Sequence, residues 1–310
     1  MLYFPFDERY SLSMGTIPLQ PTDPLVEADA HYAAEVAHKQ QLLLANHGYY
    51  YRANPETALA QWEVLEKVLK SLAAFYPTQF ELNINGRNWQ WHNRLTNESQ
   101  SFEFENAASL PLQPLDWVGR QVQEDLLILA NDPAVTLVAG QLCFPNDWDL
   151  NQKFEQPFLQ IHHHIPKVFT PTMQAAQKLM ERLVSHRPVW RLNWNFKIHN
   201  ALDMSSQYFA ESRRELAEIG PQLTPSNVGE RLYLRVERQT LSRLPRSNYI
   251  LFGIHTYQNT VANEAQNPDR ARRMYQVLKS IPREVMQYKA IPFFEEALLA
   301  YLQQRGDFLN

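Results

Sequence analysis

Cysteine is nearly absent from this chain of 310 residues: Cys143 is the only one. That excludes a disulfide within the chain, a zinc site built on thiolates and an iron–sulfur cluster held by its own sulfurs. Glycine is scarce as well, at 9 residues, and no Gly-x-Gly-x-x-Gly or Gly-x-x-x-x-Gly-Lys stretch exists to cradle a dinucleotide or nucleotide phosphate. Long apolar runs are missing; Leu126-Leu-Ile-Leu-Ala130 is typical, far short of the roughly 20 residues that cross a bilayer. Basic charge is not in excess, with 29 Lys and Arg against 33 Asp and Glu, a net of −4, which argues against a general nucleic-acid partner. The opening Met1-Leu-Tyr-Phe-Pro-Phe-Asp-Glu-Arg has no basic segment leading into an apolar one, so the expected location is the cytoplasm, without a membrane.

What is plentiful is aromatic: 7 Trp, 14 Tyr and 16 Phe, enough to line a flat pocket or to fill a core. With 45% apolar and 20% charged residues the chain reads as an ordinary globular protein. Helical spacing runs from Pro24 to His47 and stops at Gly48. A second helix is signalled by Asn54 as N-cap with Pro55 in first position, its apolar face being Leu59, Trp62, Leu65, Leu69 and Leu72. Asp116 to Ala130 reads as a further helix, Val135 to Phe144 as a buried strand, and Phe158 to Ile165 as a strand ended by Pro166. A helix from Thr170 through Leu183 follows.

Val189 to Lys197 alternates: Trp190, Leu192, Trp194 and Phe196 share one face, Arg191, Asn193, Asn195 and Lys197 the other. Arg231 to Leu241 alternates too, and Ser247 to Gln258 is its hairpin partner across a turn at Arg243–Ser247. Helices at about 269–280 and 292–304 close the chain. With no repeat and no linker, the expectation is one α+β domain over 1–310: a helical block at about 20–130, a sheet-rich core at about 131–260 and C-terminal helices at about 265–306.

Two clusters could carry chemistry. On a strand, His162 and His164 fall on one face and His163 on the other, so the first two could ligate one metal together, or one could bind alone; the alternative is a polar face of hydrogen-bonded imidazoles. The second cluster runs from Leu234 to Arg246 and sets Arg235, Arg238, Arg243 and Arg246 around one carboxylate, Glu237. Arg235 with Glu237 alone would be an ordinary ion pair, whereas four guanidinium groups suit an anionic ligand. Arg191 and Asn193 form a smaller polar pair beside Trp190 and Trp194, which are better suited to the core.

The blocks Cys143-Phe-Pro…Trp148, Ile161-His-His-His-Ile-Pro166, Arg191-Leu-Asn-Trp194 and Leu234-Arg-Val-Glu-Arg-Gln-Thr-Leu-Ser-Arg-Leu-Pro-Arg-Ser247 resemble, in order, those of the haem-dependent oxidative N-demethylase family. The resemblance covers roughly Val135 to Tyr257. It implies a PAS-like antiparallel sheet flanked by helices, holding haem b and its iron, that uses O₂ to demethylate a small secondary amine such as dimethylamine. It also implies His162 as iron ligand, with His164, which stands where the family usually has proline, as the alternative. Glu237 and Tyr208 take the catalytic carboxylate and tyrosine roles, and Arg235, Arg238, Arg243, Arg246, Arg191 and Asn193 become the polar contacts of the cofactor. Since the chain has no device for carrying electrons from a nicotinamide, a separate flavin or iron–sulfur reductase is expected. Two other readings stay open: a non-haem metalloenzyme on His162, His164 and a carboxylate, and a haem- or ligand-sensing module without turnover.

Overall fold

In the computed structural model, which describes residues 1–306 and 308, alternation does what the sequence pattern asks of it. Ten strands form: β1 Ile17–Pro18, β2 Tyr51–Ala53, β3 Phe80–Asn85, β4 Asn88–Asn93, β5 Glu98–Glu103, β6 Asp125–Leu129, β7 Leu137–Gln141, β8 Val189–Lys197, β9 Tyr233–Arg243 and β10 Ile250–Thr260. Seven of them make one sheet in the order β1-β8-β9-β10-β6-β7-β2, every pair antiparallel, and β3-β4-β5 make a separate meander. Helices and sheet together make the mixed α and β architecture expected.

β8 occupies the stretch read from its alternation, and β9 and β10 form the expected hairpin. Its turn is held from outside: the Glu63 carboxylate accepts the Arg246 and Ser247 backbone N–H groups at 2.7 and 2.8 Å. The helix Thr170–Arg182 and the C-terminal helices Pro268–Ser280 and Glu295–Arg305 lie where periodicity puts them, with a short Arg283–Tyr288 helix between the last two. In the long helix Ala58–Phe75, Trp62, Leu65, Leu69 and Leu72 are buried, while Leu59 is exposed; Asn54 and Pro55 open a 3₁₀ turn in front of it.

Four readings need correction. The first helix begins at Tyr32, not Pro24, because buried side chains take the backbone groups before it: Ser71 Oγ, Glu124 and Gln123 accept the N–H groups of Leu25, Glu27 and Asp29. The expected helix Asp116–Ala130 is a short helix, Pro114–Gly119, followed by β6. All five β6 residues are buried, so Leu126–Leu129 is the continuous apolar run of a central strand. The segment holding the three histidines is no strand but a one-turn helix, Phe158–Ile161, and a turn between Pro157 and Pro166. Those prolines leave too little backbone to join a ladder. Finally, the N-terminal block is not wholly helical: the meander lies inside it, with Trp89 and Trp91 buried on one face and Gly86, at φ +58°, turning β3 into β4.

The two faces of the sheet are covered by different parts of the chain. Trp194, Phe196, Leu234, Val236 and Tyr257 pack with Phe6 and the C-terminal helices. On the opposite face Leu127, Leu129, Ile250 and Ile254 pack with Leu150, Met180 and Leu183 from the stretch between β7 and β8. Among the described residues, no helix is long and apolar enough to cross a membrane.

Candidate active site

The antiparallel register of β8 and β9 fixes which polar residues meet. Arg191 pairs with Gln239, Asn193 with Glu237 and Asn195 with Arg235, and all six side chains share one face. Glu237, 6% exposed, accepts from Asn193 Nδ2 at 3.2 Å and from Gln239 Nε2 at 2.9 Å, both on Oε2. Around this polar centre Val189, Leu241 and Phe252 from the sheet, and Trp148, Phe154, Phe158 and Ile161 from the covering layer, are only partly buried. The face is lined by apolar and aromatic groups that do not close over it.

His162 belongs to that covering layer. Its Nδ1 lies 2.8 Å from the Phe158 carbonyl, so the tautomer with the proton on Nδ1 donates there and leaves the lone pair on Nε2. Burial pushes the imidazole down to about 4, opposed by the Phe158 carbonyl and reinforced by the charges of Lys153, His164 and Arg191. A neutral imidazole anchored at Nδ1 is the form that ligates iron through Nε2. His163 and His164 are exposed; His163 Nδ1 meets the Gln160 carbonyl at 2.6 Å, and His164 Nδ1 lies 3.5 Å from Lys153 Nζ. Among the described residues no three His, Cys, Asp or Glu side chains gather as a metal site, so the two-His-one-carboxylate arrangement is not assembled.

The arginines do not converge on an anion; three of the four leave Glu237 altogether. Arg235 is fully buried and donates five hydrogen bonds, to the carbonyls of Phe144, Pro145, Ala201 and Leu202 and to Thr256 Oγ1, with Nε 3.8 Å from Glu237 Oε1. Arg238 points to the opposite face, where it donates to the Pro24 and Leu25 carbonyls, 3.8 Å from Glu27, over the rings of Tyr3 and Trp190. Arg243 is spent on the carbonyls of Met180, Leu183 and Asn248 and on Asn131. Arg246, exposed, pairs with Glu105. The expectation of a four-arginine cradle is therefore corrected: these cations hold loops and strands together, because a buried guanidinium must be surrounded by acceptors.

Arg191 behaves differently. It is partly exposed beside Glu237, which acts on its charge; its Nε is buried without a partner, as are those of Arg235 and Arg238, but unlike those two it donates no other hydrogen bond among the described residues. Tyr208 is 42% exposed, its hydroxyl pushed up by burial, Asp203, Tyr49 and Glu211, and it shares no hydrogen bond with Glu237. A different tyrosine, Tyr288, feels both Asp147 and Glu237. Trp194 is buried against Phe6, as its place in the core requires, and Trp190 is half-buried against Tyr3.

Three cations near this face were not visible as site residues in the sequence. Lys289 Nζ donates to the Trp194 carbonyl at 2.5 Å and sits 4.3 Å from the Trp194 ring; burial pushes it down to about 7, against the pull of Glu237. Lys197 pairs with Asp147 at 2.7 Å, and with Lys289 and Tyr288 it lines a cleft along the end of β8. Lys153 Nζ donates to the Ile161 carbonyl at 2.6 Å, next to the His162 turn. Only Lys197 has a local signal, its place on the polar face of β8.

What this face offers a haem is an imidazole anchored at Nδ1 and a flanking layer of partly buried aromatic side chains. A family model described as haem-dependent oxidative N-demethylase, alpha subunit-like, matches residues 17–299, which takes in the meander and most of the C-terminal helices as well as this face. With that span the resemblance extends beyond the sheet to nearly the whole chain, which belongs to the haem-dependent oxidative N-demethylase alpha-subunit-like family.

Proposed function

We propose that the protein is a haem b monooxygenase that removes a methyl group from a small secondary amine, using O₂ and two electrons delivered by a separate flavin or iron–sulfur reductase. The reading is supported above all by Glu237: a carboxylate positioned by Asn193 and Gln239 on the face that His162 covers. Bound haem supplies the iron that activates O₂.

The chain's own groups do the rest. His162 offers Nε2 to the iron, held in tautomer by the Phe158 carbonyl. Val189, Leu241, Phe252, Trp148, Phe154 and Phe158, partly buried around this face, would supply apolar contacts to the porphyrin. Lys153, beside the His162 turn and without a carboxylate partner, suits a propionate. Glu237 holds the ammonium of the incoming amine and accepts its proton, because a small secondary amine arrives protonated at neutral pH. Hydroxylation of the N-methyl carbon gives a carbinolamine that splits to formaldehyde and the shorter amine. One secondary N-methylamine, one O₂, two protons and two electrons thus become the shorter primary amine, formaldehyde and water.

Purified protein reconstituted with haem should show an intense Soret band and release formaldehyde from dimethylamine when O₂ and a reductant are supplied. His162→Ala should lose the imidazole-ligated spectrum while His164→Ala keeps it. A Soret band without formaldehyde would favour a sensing module, and no Soret band in the wild type would end the haem reading.

A further inference from the structure

Arg191 and Glu237 stand on neighbouring strands of one sheet face, offset by a single cross-strand pair. Opposite charges so placed ordinarily close on one another. Here they do not. Glu237 gives Oε2 to Asn193 and Gln239, and among the described residues its one ion-pair contact is Arg235 Nε at 3.8 Å. The Arg191 Nε is buried without a partner, as are those of Arg235 and Arg238, but Arg191, only partly exposed, donates no hydrogen bond at all among the described residues. A guanidinium beside a carboxylate and without protein acceptors is free to meet a ligand's acceptor.

The surrounding charge says what that ligand is. Glu237 attracts Arg191, Arg235, Lys197 and Lys289, but Lys197 is paired with Asp147, Arg235 is bonded to backbone carbonyls and Lys289 donates to the Trp194 carbonyl. Arg191 alone of the four stands beside Glu237 with no hydrogen bond to the protein among the described residues, so a ligand that brings both an ammonium and a carboxylate matches the two. A guanidinium fork is also the side chain that best matches a planar carboxylate.

Building on the functional reading above, we infer that the substrate is a zwitterion, an N-methylated amine that also carries a carboxylate, with its ammonium on Glu237 and its carboxylate on Arg191. A haem propionate is the other carboxylate within the same chemistry. Lys153, bonded to the Ile161 carbonyl next to the His162 turn, serves that group without drawing on Arg191.

The test compares N-methylglycine with its methyl ester and with dimethylamine, by calorimetry on the haem-loaded protein and by KM. Haem uptake is titrated separately through the Soret band. The wild type should bind N-methylglycine about tenfold or more tightly than the ester, and Arg191→Gln should bring that ratio near one while Arg191→Lys retains part of it. A wild-type ratio near one overturns the inference, and so does an Arg191→Gln protein that keeps the ratio but takes up haem poorly, because Arg191 would then hold a propionate. Should Arg191→Gln not fold, the wild-type ratio and the lysine variant still decide. If the wild type takes up no haem, the functional reading fails, and the calorimetric ratio on the same protein still decides the carboxylate question.

Discussion

The two faces of β8, β9 and β10 are built from the same strands and end differently. On one, Trp194, Phe196, Leu234 and Val236 meet the C-terminal helices and are buried, and Arg238 finds backbone carbonyls. On the other, Arg191, Asn193, Gln239, Leu241 and Phe252 stay partly exposed under a covering layer of one-turn helices and the Thr170–Arg182 helix. A face that its own chain fills is finished by folding. The other face is left partly unfilled, with one carboxylate positioned and one guanidinium that donates no hydrogen bond among the described residues. Arg235 and Arg191 are the sharpest pair in this contrast: on the same face one is fully buried and makes five hydrogen bonds, the other is partly exposed and makes none.

That contrast can be broken at several points. The largest effect should come from Arg235→Ala, which strands the carbonyls of Phe144, Pro145, Ala201 and Leu202; denaturant unfolding should show a loss of about 3–5 kcal/mol, the scale for opening a buried charged network. A loss within 1 kcal/mol would mean that water replaces the guanidinium, and Arg235 would then be no more structural than its neighbour.

Acid should act next, through His162. Its folded value of about 4 lies below the 6.5 of an unfolded histidine. The unfolded chain therefore takes up the proton first as pH falls. The contribution of this group is whole above about pH 6.5 and is lost progressively toward pH 4, by roughly 3 kcal/mol on the linkage scale. Comparing wild type with His162→Gln in the haem-free state across that window isolates it; parallel stability curves would show that the imidazole is not held neutral.

Glu237→Gln comes third. It keeps hydrogen-bonding capacity toward Asn193 and Gln239 but cannot accept the proton of an ammonium, so formaldehyde release should fall by about 10²-fold with the Soret band retained. Unchanged turnover per haem would assign Glu237 to structure. The smallest effect belongs to Arg191→Ala: with no protein acceptor to strand, unfolding free energy should change by less than about 1 kcal/mol. A drop as large as that of Arg235→Ala would erase the difference between the two arginines.

Much of this was legible in the chain. The period-two patterns of Val189–Lys197 and Arg231–Leu241 set these two strands and their side-chain faces, because alternation admits only two faces, while the register that brings Asn193 to Glu237 came from the fold. The histidine run read as a strand, whereas a one-turn helix sets the partly buried His162, with its Nδ1 at the Phe158 carbonyl, apart from the exposed His164.

What the sequence could not decide is where long side chains end. Four arginines within twelve residues read as one cluster, yet their guanidinium groups leave in separate directions, three to backbone carbonyls that the fold brings within reach and Arg246 to the Glu105 carboxylate. Lys289, more than ninety residues from β8, reaches the Trp194 carbonyl only because the C-terminal helices fold back on the sheet. The sequence by itself determined β8, the β9–β10 hairpin, their side-chain faces and the family, since these follow from local pattern and from ordered motifs, but not β6 or the meander. Only the tertiary structure decided which charges are satisfied, because that depends on acceptors contributed by distant segments, and it left Arg191 without a hydrogen bond among the described residues.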